Sequence, residues 1–190
     1  ILFFNYGQRA LNNEREFSRL CAGDLKADFI EINIEELKSI SSSLIHNNEK
    51  IKKLKKSELK DTKKESANWY VPCRNLIFLS YASALAEFLF LNHKGRYDIF
   101  VGFKNEGKES FPDATEKFAS LFNRMNAYST ISKIKVFAPF ISKDKEDIIV
   151  LGKKLGVDFK KTFSCYIGKS RHCGACLACR LRQAGFYWAN

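Results

Sequence analysis

Several things are missing from this sequence, and each absence narrows the reading. No two of its 10 glycines are adjacent, so residues 1–190 hold no paired-glycine loop of the kind whose backbone N–H groups cradle phosphates. No internal repeat is visible, which sets solenoids and propellers aside. No basic segment leads into an adjoining apolar run, so nothing directs the chain to export, and the expectation is a cytoplasmic protein. The most apolar stretch, "NLIFLSYASALAEFLFL" from Asn75 to Leu91, is broken by Ser80, Tyr81, Ser83 and Glu87. At that length it reads as a buried core helix and not as a membrane span. Acidic residues are the minority, 21 against 32 Lys and Arg. The resulting charge of +11 favours phosphate-bearing ligands and carries no information about fold.

What is present describes an ordinary globular chain. With 190 residues, 45% hydrophobic and 14% aromatic, there is enough material for one sizeable core plus an appendage. Much of the positive charge sits in "EKIKKLKKSELKDTKKE", Glu49 to Glu65. A like-charge block of this kind reads as a solvated helix or loop. A nucleic-acid patch is the second reading, because the run has no aromatics for stacking and no arginines for bidentate contacts.

Along the chain, apolar runs and helical periods alternate. Ile1 to Phe4 is a continuous apolar run, the mark of a strand buried on both faces. Leu11, Phe17, Leu20 and Cys21 then recur at helical spacing, with Gly23 expected just past the helix end and Cys21 expected in the core. "ADFIEINI" follows as a second strand, giving a βαβ unit and hence a parallel sheet. Further strands are expected in "YDIFVGF", Tyr97 to Phe103, and "KIKVFAPF", ending at Pro139. Asp113 is placed to cap a helix with Glu116 as its third residue, and Ser142 to cap the next, with Gly156 past its end. The expected fold class is α/β, a doubly wound, mostly parallel sheet over 1–160, with a small cysteine module over 161–190.

That module is "SCYIGKSRHCGACLACRLR", in which Cys165, Cys173, Cys176 and Cys179 follow a C-x7-C-x2-C-x2-C pattern. Two residues between cysteines let a tight turn aim both sulfurs at one point, and four thiolates complete a tetrahedral zinc shell. An iron–sulfur cluster uses the same ligands, and the spacing does not choose between them. A redox pair fits less well, because the C-x2-C units overlap. Disulfides do not suit a chain without an export signal. Four protein ligands leave no open coordination position, so the metal is expected to be structural. His172 reads as a surface turn residue beside the cluster.

Five segments, in order, resemble the 7-cyano-7-deazaguanine synthases, the PP-loop ATP pyrophosphatases of the queuosine pathway. They are "NYGQR", "VPCRNLIFLSYASALAE", "VGF-N-E…FPDATEKF", "APFISKDKEDIIVLGKKLGV" and "SCY…CGACLACRLRQAGF". The resemblance implies an adenine nucleotide alpha hydrolase-like fold. It implies ligase activity that converts 7-carboxy-7-deazaguanine and ammonia to the nitrile, with ATP and Mg²⁺ as the substrate complex, one structural zinc and a homodimer. It also implies a Ser-Gly-Gly-x-Asp-Ser loop between a first strand and helix, and the expectation is that this strand, loop and helix are missing from residues 1–190. Carried over, Tyr6, Gly7, Gln8, Arg9, Arg74, Asn75, Asp113 and Lys145 are the expected ATP or substrate contacts, with no catalytic residue assigned. The family usually has Gly where Cys73 stands. The rival readings are another PP-loop adenylating enzyme acting on tRNA, with Cys73 as its reactive thiol, and a zinc-ribbon nucleic-acid module using the lysine run with Arg180 and Arg182.

Overall fold

Leu2, Phe3 and Phe4 form the expected first strand, β1 (Leu2–Asn5), whose last three residues are buried. The computed structural model describes residues 1–46, 51–60, 62–104 and 111–189. β1 pairs in parallel with β2 (Ile30–Asn33), Leu2 opposite Ile30 and Asn5 opposite Asn33. A parallel pair needs a crossover, and α1 (Leu11–Asp24) supplies it. Two details of α1 differ from expectation. The helix runs through Gly23, and Lys26 takes the left-handed position at φ 51°. Cys21 is exposed and Ala22 is the buried residue, because a fourteen-residue helix lying on a two-stranded pair covers only a narrow stripe.

The chain divides into two compact units, Ile1–Pro72 with Lys145–Asn190, and Cys73–Asp144. The boundary expected at residue 160 falls inside the first unit. There, α2 (Lys63–Ala67) follows a 3-10 turn at Lys56–Lys60, and α5 (Lys145–Lys154) and α6 (Leu177–Trp188) pack together. α5 starts at Lys145, so Ser142 lies upstream of it, while Gly156 does follow its end at φ 71°. Within the lysine run, Glu49, Lys50 and Asp61 lie outside the described residues. The rest is more than a solvated stretch. Leu54 is 3% exposed, its N–H donates to the Ala175 carbonyl at 3.0 Å, and its carbonyl accepts from Arg180 Nε at 2.8 Å.

In the second unit β3 (Ile99–Phe100) pairs in parallel with β4 (Val136–Phe137); α3 (Arg74–His93) precedes β3 in sequence and α4 (Glu116–Ser129) lies between the two strands. Leu79, Phe122 and Val136 form its buried centre. The parallel α/β class is as expected, but among the described residues the four strands form two pairs and not one continuous sheet. β3 and β4 ladder over two residues each, and part of the "VGF-N-E" segment, residues 105–110, lies outside the described residues.

Two further expectations are corrected here. α4 is capped by Thr115, whose Oγ1 accepts the Phe118 N–H at 3.1 Å, and not by Asp113. α3 is not fully buried: Leu79, Ser83 and Ala86 face inward, while Tyr81, Phe88 and Leu91 are exposed. At 20 residues and mean hydropathy 1.3, it is long and apolar enough to cross a membrane on those two criteria alone. Its inward stripe is nonetheless polar in part, with Ser83 Oγ hydrogen-bonded to Asn126, which is 1% exposed.

Candidate functional site

The carboxyl end of β1 opens into a turn, Tyr6–Arg9, at the place where open α/β sheets bind ligands. Its geometry is set from within. The Gln8 side chain accepts the Tyr6 N–H at 2.9 Å and donates to the Phe4 carbonyl at 3.0 Å and to Glu14 Oε2 at 3.1 Å. Gln8 is 5% exposed, so its amide shapes the turn. The buried ring of Tyr6 meets His46 edge to face at 5.6 Å. The Arg9 N–H donates to the Ile45 carbonyl at 2.8 Å, tying the turn to the 41–46 loop. That loop, with Ala67, Asn68, Tyr70 and Pro72, lines a polar cavity of ≈ 330 Å³.

The four cysteines converge in the same unit. Their Sγ atoms all lie within 4.8 Å of one another, and Cys165, Cys176 and Cys179 are buried. Backbone N–H groups aim at the sulfurs: Ala175 and Cys176 donate to Cys173 Sγ at 3.4 and 3.3 Å, and Cys173 donates to Cys165 Sγ at 3.5 Å. The hydrogen bond from Cys179 lowers Cys176 to about 5, and that bond together with burial pushes Cys179 up. Burial also raises Cys165. Four thiols this close ionise together only around a cation, so the donor set fits a thiophilic metal with no position left open. His172 is outside the set. Its Nε2 accepts the Ser164 N–H at 3.1 Å and its ring lies over Phe163 at 4.8 Å. Desolvation and the charge of Arg182 lower its pKa, which keeps the ring neutral for that role.

Three of the expected site residues meet in the second unit. Asp113, 8% exposed, accepts the backbone N–H of Asn75 through Oδ2 at 2.9 Å. Asn75 Nδ2 donates to the Asp113 carbonyl at 3.2 Å, and Arg74 Nε donates to Asn75 Oδ1 at 3.4 Å. Asp113 therefore seats the first turn of α3, where the helix dipole and free N–H groups favour an anion. Cys73, just before it, holds φ 54°, a left-handed value that suits glycine. Lys145 begins α5 in the first unit, where its stem packs against Gly185.

Sequence reasoning missed Leu54, Trp69 and Tyr166. Tyr166 and Ile51 pack on the cysteine cluster, and the Trp69 and Tyr166 rings lie 4.3 Å apart. For Leu54 the available signal was an apolar side chain inside the lysine run. Arg180 and Arg182, reserved for nucleic acid in one rival reading, are engaged internally: Arg180 with Leu54 and Gln183, Arg182 with Ser164, Phe159 and Thr162.

A family model described as "Queuosine biosynthesis protein QueC" matches residues 1–190. The chain belongs to the QueC family. It is 39% identical over 186 residues to a 7-cyano-7-deazaguanine synthase of a Nitratiruptor species, covering 96% of this chain and 80% of the relative. It is 36% identical over 198 residues to the synthase of that name from Methanocaldococcus jannaschii, covering 98% and 83%. A third, from Pyrococcus horikoshii, is 34% identical over 199 residues, covering 97% and 80%. QueC membership carries the PP-loop α/β fold and a role in queuosine biosynthesis.

Proposed function

We propose that the chain is an ATP-dependent 7-cyano-7-deazaguanine synthase, a carbon–nitrogen ligase. The observation that carries this reading is the family match over all 190 residues. The structure is compatible with it in placing the Tyr6–Arg9 turn at the carboxyl end of a parallel strand.

The chemistry must remove two oxygens from a carboxylate, and oxide does not leave unaided. The carboxylate of 7-carboxy-7-deazaguanine attacks the α-phosphate of ATP, giving an acyl adenylate and pyrophosphate. Ammonia adds to the acyl carbon and expels AMP, leaving the amide after loss of a proton. The amide oxygen attacks a second ATP and releases pyrophosphate and a proton. Loss of AMP and the last N–H proton then forms the C≡N bond. The protein's part is to hold the reactants in line, neutralise charge and keep water from the adenylate.

Arg74 offers a planar fork for a phosphate or the substrate carboxylate, on a helix N-terminus seated by Asp113 and Asn75. Lys145 supplies a point charge for the ATP phosphates, and Mg²⁺ entering with ATP would add further positive charge there. Tyr6, Gly7, Gln8 and Arg9 form the ligand turn, of which Arg9 carries the charge. The ≈ 330 Å³ polar cavity lined in part by Ser42, Ser43 and Leu44 has the size of a small-ligand pocket. Cys165, Cys173, Cys176 and Cys179 hold one structural zinc. A cytoplasmic homodimer belongs to the same reading.

Pyrophosphate release by the full chain with 7-carboxy-7-deazaguanine and ammonia, against release with tRNA, decides it. Release with tRNA alone would replace this function with the tRNA-adenylating one.

A further inference from the structure

The loop between Cys165 and Cys173 touches the ligand turn. A Cβ built on Gly168 would lie 2.3 Å from the Arg9 carbonyl oxygen, 2.7 Å from Ala10 Cα and 2.9 Å from the Arg9 carbonyl carbon. No side chain fits there, and Gly168 also holds φ 70°. The two backbones press directly on each other at the point where the turn passes into α1. Ala10, 2% exposed, is the residue before that helix.

Both ends of the loop are cysteines of the cluster that could hold a metal. Just before it, Phe163 stacks on Phe17 of α1 at 5.5 Å, and at its start Tyr166 packs on Trp69. The loop's height above Arg9 is therefore fixed by the closed cysteine cluster at its ends and by two ring contacts. The Arg9 N–H is tied in turn to the Ile45 carbonyl. Moving the loop moves a backbone against which Arg9 and Ala10 rest.

We propose that the Cys165–Cys173 loop is a strut that transmits the closure of the metal site to the ligand turn, and that Gly168 is the positioning residue at its point of contact. This rests on the reading of Tyr6–Arg9 as a ligand turn. The strut sets where the Arg9 carbonyl and N–H point, and with them the side chain that the turn presents. Metal binding then has a second role besides holding the C-terminal segment: it sets affinity for ATP or the deazaguanine.

The test compares Gly168→Ala with Gly156→Ala in the full, metal-loaded chain. Gly156 holds a similar φ of 71° but faces open space, so its variant carries the backbone strain without the collision. Three quantities are read: zinc per chain by elemental analysis, hydrogen exchange at the Arg9 amide, and KM with kcat for both substrates. Gly168→Ala is expected to keep its zinc, to speed Arg9 exchange by about tenfold or more, and to raise a KM by about tenfold with kcat changed less. Gly156→Ala is expected to match wild type in all three. Wild-type Arg9 exchange in Gly168→Ala overturns the strut, as does equal acceleration in Gly156→Ala. Should Gly168→Ala fail to fold, a glycine inserted between Lys169 and Ser170 lengthens the loop without a collision, and wild-type Arg9 exchange there also overturns it. Accelerated exchange with unchanged KM leaves the strut standing and removes the ligand role of the turn.

Discussion

Asp113 and Asn75 are bound across thirty-eight positions of sequence, with Asp113 Oδ2 2.9 Å from the Asn75 backbone nitrogen. The carboxylate supplies α3 with the cap that Cys73 does not, since no side chain of its own caps that helix. Asp113→Ala is expected to cost about 1 kcal/mol in equilibrium unfolding. Asp113→Asn keeps an acceptor and should recover most of that. Equal losses in the two variants would remove capping as the reason for Asp113.

Arg74 stands on that capped turn. Arg74→Ala is expected to lower kcat/KM by about a hundredfold or more while the melting temperature stays put. Arg74→Lys should not restore activity, because an ammonium lacks the planar fork. Wild-type turnover in either variant would contradict the assignment.

Cys73 carries a backbone cost at φ 54°. Replacing it with glycine removes the Cβ and should stabilise the chain by about 1 kcal/mol. A urea midpoint at or below that of wild type would show that the thiol makes a compensating contact.

Zinc analysis should give one ion per chain. Cys176→Ser, or exhaustive chelation, is expected to lower stability by more than about 2 kcal/mol. Full stability and activity after complete metal removal would refute a structural metal.

Among the described residues three carboxylates, Glu31, Glu58 and Glu87, are held below the usual range, and acid stability follows from them. The hydrogen bond from Arg15 holds Glu31 below the usual range, and the bond from the Ser132 hydroxyl does the same for Glu87. A depressed carboxylate contributes its stability above its unfolded value of about 4.3 and loses it as pH falls through the lower folded value. The denaturant midpoint should therefore fall from about pH 5 downward, and Glu31→Gln should flatten that fall. Parallel curves for variant and wild type would sink the attribution.

Much of this was legible locally. The apolar run of β1, the presence of a helix after it and the C-x2-C turns each depend on neighbours a few positions apart, and near-neighbour chemistry is what a sequence displays. The buried face of α1 was misjudged, since Leu20 and Cys21 are exposed and Ala22 is buried. The left-handed residue at Cys73 was visible only as a departure from the family's glycine. Capping was misread because Asp113 has Glu116 three residues on, the spacing of a capping box, while Thr115 has Phe118 there; only the fold sends Asp113 to another helix and leaves the α4 cap to Thr115.

The sequence by itself determined the α/β class and a four-cysteine cluster that could hold a metal, because those rest on periodicity and on side-chain types at fixed spacing. Only the tertiary structure decided that Leu54 anchors the lysine run, that Asp113 serves α3, and that Gly168 lies against Arg9. These contacts join segments far apart in the chain, and which backbones meet is settled by packing, about which local composition is silent.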